Sequence, residues 1–520
     1  MLNRPAIAAV ALFAAWNGYA DESSAIHYKP LSLGAISEFG MLQSGRFSQN
    51  PAFSDEWVDH FGAHFVQTAE IDDRWIFNIG LGGIFEFQKP EVENPEWGGT
   101  QYKSFFVGPS VADLEYKVIE EDAKGLRLGL GMFGYKYNPD AANLGEYLFR
   151  TGPYPNYIMT GGYALLNNSS ATLQGLKAYY RNGGFAADFF LTTETVMPPL
   201  YDLSLAGMFK YRVADGLLEV GLGVNAKRLV PIRPSKTSPH TASNAYFTVG
   251  GVDYSGKEAY YAEQSKFYQR ILGSAGNAAD SAKWIGQRDY YGQLADSVHI
   301  WASPGDSNLA YFTNRGSLAN AADTAALLAR SGIASLKYYT QSGIIADFMV
   351  SLDLKKLFPS DLFGPNDMRI FAEAALLGIQ DYPVFYTKKT ERLPIMVGVN
   401  LPGFRFFDLI SVQVERYASP NINSFYESLS SNEATPEIAR GNDSLFSQRA
   451  YMDVKSKDDL SWSVLVKKQL VPGLFLTAQA ARDHSRMVSE KTYAGPMLDA
   501  NEVLYTSKNW YWMVQFGFAI

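Results

Sequence analysis

The chain has 520 residues, a formal net charge of -8, no cysteine, and 14% aromatic against only 19% charged residues. Its pI near 5.4 excludes a nucleic-acid binder, which needs a basic stripe, and the missing cysteines exclude a disulfide framework and a lipidated N-terminal cysteine. No run of about eighteen apolar residues occurs beyond the leader, and mean hydropathy is -0.13, so a bundle of membrane helices is excluded too. Length alone suggests roughly three domains. No Pro/Ser-rich linker, charge run or internal repeat divides the chain, however, and one large β structure is the expectation.

In chain order, residues 1–20 read as a secretory signal peptide. Arg4 supplies the positive start, 6–16 the apolar run, and Gly18-Tyr19-Ala20 the small-x-small cleavage pattern before Asp21. Residues 21–520 then form the body, with only 21–30 ahead of the first strand. Alternation of apolar and polar residues marks half-buried strands at 31–45, 58–71, 74–87, 102–120, 125–137, 171–181, 185–195 and 203–213. It recurs at 217–229, 338–357, 368–379, 393–401, 407–417, 460–470, 474–483 and 507–520. In the third run Trp75, Phe77, Ile79, Leu81 and Phe85 share one face, and Asn78, Gly80, Gly82 and Glu86 the other.

Connections after even strands are short: Asp72-Asp73, 122–124, 182–184, 214–216 and 471–473. Those after odd strands are usually long. Short turns at one end and long loops at the other are the pattern of an all-β, transmembrane antiparallel β-barrel. The expectation is about 16 strands with long extracellular loops. Two connections stand out. Residues 138–170 follow the fifth strand, and 141–150 can form a short helix that Gly152-Pro153 and Pro155 stop. Residues 230–335 follow the ninth strand, with helical pieces expected at 257–272 and 319–329 and a short strand at 246–254.

The last strand alternates Trp510, Trp512, Val514, Phe516, Phe518 and Ile520 with Tyr511, Met513, Gln515, Gly517 and Ala519. It resembles the C-terminal strand read by the barrel-assembly machinery of the outer membrane, with Ile520 where a final Phe is usual. Together with the insert after strand five, the chain resembles sixteen-stranded bacterial porins, and its central stretch is loosely similar to the phosphate-selective porin-like group. The resemblance covers the architecture and rests on no solute-specific motif. It implies a Gram-negative outer-membrane location among lipid and lipopolysaccharide, small hydrophilic solutes, commonly a homotrimer, and a third loop, here 138–170, that narrows the lumen.

If the apolar faces point outward, parity puts Asp113, Glu115, Lys117, Arg127, Lys177, Arg181, Asp188, Glu194, Lys210, Arg212, Glu219 and Lys227 in the lumen. Charge is tolerated there because water fills it. The functional reading is a charged filter; the plain one is a solvated wall. The candidates for constriction and lumen are Arg127, Glu146, Tyr147, Arg150, Tyr154, Lys177, Arg181, Asp188, Lys210 and Arg212. The insert sets only Arg150 against Asp140 and Glu146, so phosphate selectivity is not expected. Its Tyr147, Phe149, Tyr154 and Tyr157 could stack on sugar rings, but packing against the wall is favoured.

Trp57, Trp75, Trp462, Trp510 and Trp512 near strand ends read as interfacial girdle residues. Of the six histidines, His60 and His64 lie about 13 Å apart along a strand, too far to share a metal. No enzyme, metal or other cofactor is expected. The reading is a passive channel for small hydrophilic solutes. The alternative is a glycan- or partner-binding adhesion protein anchored by its barrel, using the tyrosine-rich 230–335.

Overall fold

The computed structural model describes residues 26–43, 56–87, 104–149, 171–194, 201–232, 245–246, 248–249, 252–253, 257–274, 277–302, 337–338, 342–380, 388–417, 460–482 and 510–519. Sixteen antiparallel strands close on themselves. They are β1 (Ser32–Gln43), β2 (Glu56–Ile71), β3 (Trp75–Phe87), β4 (Ser104–Glu120), β5 (Lys124–Tyr135), β6 (Ala171–Asn182), β7 (Phe185–Thr193) and β8 (Leu203–Val213). There follow β9 (Leu218–Val230), β10 (Gly343–Asp353), β11 (Arg369–Leu377), β12 (Ile395–Asn400), β13 (Leu409–Arg416), β14 (Leu460–Val471), β15 (Leu474–Arg482) and β16 (Trp510–Ala519). Each strand pairs with its neighbours in sequence, and β1 pairs with β16 from Gly34 opposite Ala519 to Gln43 opposite Trp510. Among these sixteen strands no edge is left over, which is how a barrel satisfies its backbone where no water can. A short piece, Ile26–Tyr28, continues the line of β1 against Ala69–Ile71 of β2.

The period-two pattern explains the wall. Outward positions carry exposed Phe77, Leu81, Leu130, Leu176, Phe189, Leu205, Leu222, Phe348, Val397 and Phe516. In a water-soluble sheet such a continuous band would be a liability. The two rims differ as the connection lengths predict. At one, Asp72 and Asp73 both take positive φ (51° and 55°), the two-residue hairpin that suits strand twist. At the other lie the long connections, including the one after β9. There, α1 (Lys257–Ile271) matches the expected helix. A second, α2 (Ala278–Ala302), was not expected; Asn277 Oδ1 caps it by accepting from Asp280 N at 2.8 Å. The piece expected at 319–329 lies outside the described residues. The strand expected near 246–254 is present only as two-residue pieces at Ala245–Tyr246, Thr248–Val249 and Val252–Asp253.

Alternation alone mispredicts one part of the interior. Ile345, Met349, Phe371, Ala375, Leu377 and Met396 point inward and are buried, and they pack with Tyr137, Leu144, Tyr147 and Leu148 of the insert after β5. The inner wall of β10–β12 is therefore partly apolar, because a segment of chain and not water covers it.

Candidate pore constriction

The insert leaves β5 at Tyr135 and turns into the lumen. It first builds itself. Asn138 Oδ1 accepts from the amides of Asp140 and Ala141 at 3.2 and 3.3 Å, an Asx turn. Glu146 Oε1 accepts from Asn138 N at 2.9 Å and closes the loop. Lys136 Nζ donates to Ala141 O at 2.6 Å. The helix expected over 141–150 is reduced to a single 3-10 turn, Tyr147–Phe149. Hydrogen bonds to the barrel wall take the place of helical ones.

That wall is the opposite one. Glu373 of β11 accepts from Tyr137 Oη (2.6 Å), Asn138 Nδ2 (2.7 Å) and Tyr147 N (3.0 Å). Gln413 Oε1 of β13 accepts from the amides of Asn143 and Leu144, each at 3.1 Å. Glu415 takes the Tyr147 hydroxyl at 2.7 Å, and Asn143 Nδ2 donates to Ser463 Oγ on β14. Asp140 is held by Ser351 Oγ at 2.6 Å and by Arg369 at 2.9 Å. Asn225 Nδ2 of β9 donates to Leu148 O at 2.8 Å, and Lys210 Nζ of β8 to Tyr137 O at 2.7 Å. Strands five and thirteen are half a circuit apart, so the segment bridges the lumen. Buried groups without partners are costly, and here each receptor meets a donor.

Close approach sets the local sequence. Gly145 has φ +84°, and a Cβ there would lie 2.6 Å from Met396 Cε and 3.0 Å from Glu373 Oε2. Across the contact, a Cβ on Gly223 would meet Leu148 Cδ2 at 2.9 Å. Tyr137 is fully enclosed. Burial first, then the carboxylates of Asp347 and Glu373, hold its hydroxyl well above the ordinary tyrosine value, so it stays a donor.

The architecture is a closed sixteen-stranded antiparallel β-barrel. No family model matches the chain, and no curated protein does either. Among solved structures, a mutant of the Rhodopseudomonas blastica porin is similar over 94% of this chain and all of its own, at 8% identity and a TM-score of 0.37. A triple mutant of the same porin gives 0.35 at 8% identity over the same coverage. A structure described as asymmetric conductivity of engineered proteins also gives 0.35 and 8%. At such scores the likeness carries no weight of its own; the closure stands on the strand pairing.

The candidates chosen from sequence divide into three groups. Glu146 and Tyr147 lie within the docked segment, and both are buried. Lys177 and Asp188 are inward and buried, and Lys210 is inward and half-buried. Lys177 pairs with Asp113 and Glu115 and lies 4.4 Å from the Phe133 ring centre. Asp188 pairs with Arg181 and accepts the Tyr135 hydroxyl at 2.7 Å. Arg127, Arg181 and Arg212 keep much of their guanidinium surface in solvent near the short-turn rim, paired with Glu120, Asp188 and Glu219. Arg150 and Tyr154, with Tyr157, lie outside the described residues. Phe149 packs among Tyr135, Tyr137 and Phe190.

Sequence reasoning missed the receptors. Glu373 is a lone acid in RIFAEAALL, and Gln413 and Glu415 fall on one face of LISVQVER. A charged residue on the inner face of an otherwise apolar strand was the available signal.

Proposed function

We propose that the chain is an outer-membrane channel that passes small hydrophilic solutes by passive diffusion, with residues 136–149 reducing its cross-section. The observation that carries this reading is the inserted segment bridging a closed barrel whose outer face is apolar and whose inner face carries ion pairs. The bridge divides the interior, and the water-facing remainder of the wall carries Arg127, Arg181 and Arg212. Each of these cations is matched to a carboxylate, which supports weak selectivity between ions over a strong filter of one sign. Arg150 and Tyr154 belong to the same proposed constriction. Residues 1–20 act as the removed signal, the last strand as the feature read by the assembly machinery, and outer-membrane lipid and lipopolysaccharide as the surroundings, with a homotrimer as the assembled form.

The test is single-channel conductance of the refolded protein in a planar bilayer, beside a variant lacking residues 141–157. Stable open steps that enlarge on deletion support the reading. A folded, heat-modifiable barrel that gives no steps overturns it. One observation favours a second role for the connection after β9. Tyr268 and Tyr291 stack between α1 and α2 at 5.9 Å and 7°, beside an exposed Tyr290. This supports a glycan- or partner-binding surface, which removal of 257–302 would abolish while leaving conductance unchanged.

A further inference from the structure

The short-turn rim is lopsided. From β2 to β9 its turns are short and largely polar: Asp72-Asp73-Arg74, Glu121-Asp122-Ala123, Gly183-Gly184 and Ala214-Asp215-Gly216. Under β10–β14 its character changes. The turn of residues 354–368 presents Phe358 and Leu362, and that of 401–408 presents Phe404 and Phe406; these four are 61, 65, 60 and 71% exposed. Leu357, Leu470 and Val471 beside them are exposed too. The two turns act as one unit. The Phe363 and Phe404 ring centres are 6.1 Å apart, Asn366 Nδ2 donates to Asp408 O at 3.3 Å, and Lys468 Nζ donates to Arg405 O at 3.3 Å.

Backbone strain points the same way. Phe404 and Arg405 have φ of 49° and 61°, positions that Asn or Gly would occupy at lower cost. An aromatic ring is kept at the tip against its backbone preference, 60% exposed although it meets the Phe363 ring. The outward band runs into these turns through exposed Phe348, Ile370, Val397 and Leu401. Cations rim the patch: Lys356 and Arg405 are exposed, and Lys468 Nζ lies 6.0 Å from the Phe406 ring centre.

We infer that this arc of the rim is embedded in the headgroup layer of the adjoining leaflet and binds anionic phospholipid there. The rings and leucines lie at the acyl boundary, where aromatic side chains are favoured, and Lys356, Arg405 and Lys468 meet lipid phosphates. A patch continuous with the lipid-facing band and convex at its tips suits a fluid lipid layer better than a folded partner. The polar turns from β2 to β9 stay in water. This inference rests on the membrane reading above.

The absence of cysteine makes single-cysteine probes clean. Phe406→Cys and Leu362→Cys, with Asp73→Cys as the water control and Leu130→Cys as the lipid control, are labelled with an environment-sensitive fluorophore. The proteins are placed in vesicles of phosphatidylethanolamine and phosphatidylglycerol, with only the phosphatidylglycerol brominated. The 406 and 362 probes are expected to emit to the blue of the 73 probe and to be quenched severalfold more. Adding Lys356→Gln, Arg405→Gln and Lys468→Gln is expected to remove most of that excess quenching. If the 130 probe is quenched but the 406 and 362 probes behave like 73, the inference is overturned and the membrane reading stands. If the 130 probe also stays in water, the membrane reading itself has failed. Quenching at 406 that survives loss of all three cations overturns the anionic-lipid assignment. Cross-linking between 406 cysteines of two copies, in place of quenching, assigns the patch to self-association and overturns it as well.

Discussion

Two arcs of the same inner wall obey one alternation and end up chemically different. Along β4–β8 the inward side chains include ions answered by ions from neighbouring strands, Lys177 with Asp113 and Glu115 and Arg181 with Asp188, beside the buried Phe133, Phe190 and Met208. Along β10–β14 the inward set mixes apolar residues with Glu373, Gln413, Glu415 and Ser463, and these polar groups are answered by donors from residues 137–147. The first arc carries its own counter-charges, buried at Lys177 and Asp113 and solvated toward the short-turn rim at Arg127 and Arg212. The second takes its polar partners from the insert. What an inward position requires is therefore set by what lies across from it, which strand period cannot encode.

The comparison breaks most sharply at Glu373. Glu373→Ala leaves the Tyr137 hydroxyl, the Asn138 amide and the Tyr147 N–H without their acceptor. At about 1–3 kcal/mol for each stranded buried donor, docking loses roughly 3–9 kcal/mol. The barrel keeps its pairing, so heat-modifiability on gels should persist while amide exchange over 138–149 accelerates and unit conductance rises. Unchanged exchange there would mean the apolar contacts alone hold the segment. A smaller effect comes from Gly145→Val. The left-handed backbone costs about 1–2 kcal/mol and the collision with Met396 about 1–3 kcal/mol more, so a partial shift of the same two readouts is expected. Gly183→Ala is the control that carries the left-handed backbone cost without a collision, since φ there is +54° and a Cβ meets nothing within 4 Å.

Much of this was legible. Period-two runs located all sixteen strands, because each has one lipid-type face and one polar face, and the tight Asp72-Asp73 and Asn182-Gly183-Gly184 turns fixed their direction. The place of the insert after β5 was legible from its length. Its docking was not. Leu144 and Leu148 look like residues of any loop until Met396, Phe371 and Ile345 are known to lie opposite, more than 190 positions downstream. Propensity misread 141–150 as a helix for the same reason: carbonyl and amide partners on β13 outcompeted the local ones. The helix α2 was missed because its apolar residues follow no clear stripe.

The rim of the ion-paired arc should respond weakly where the docked arc responds strongly. Arg127 and Arg212 are largely exposed partners of Glu120 and Glu219, and exposed pairs contribute about 0–1 kcal/mol. The double variant Arg127→Gln with Arg212→Gln should therefore unfold at nearly the same temperature as the parent. Removing two lumen cations should still move the reversal potential in a salt gradient modestly toward cation preference. A large loss of stability would show that these rim pairs belong to the core as well.

The smallest effect within ordinary conditions is expected from pH acting on Tyr137. Its hydroxyl is held above the usual tyrosine value by burial and by the carboxylates of Asp347 and Glu373, whereas in a released segment it titrates near 10. Below about pH 10 both states carry the proton, and docking gains nothing from a change of pH. Above it, the released segment loses the proton first, so release becomes progressively easier as pH rises toward the docked value. Amide protection over 138–149 should be governed by one docking equilibrium from about pH 6 to 9 and weaken beyond 10. Tyr137→Phe should abolish that alkaline weakening while lowering docking by about 1–3 kcal/mol below pH 10, since Glu373 and Leu148 N then lose a partner. Persistence of the alkaline limb in that variant would assign it to a different group.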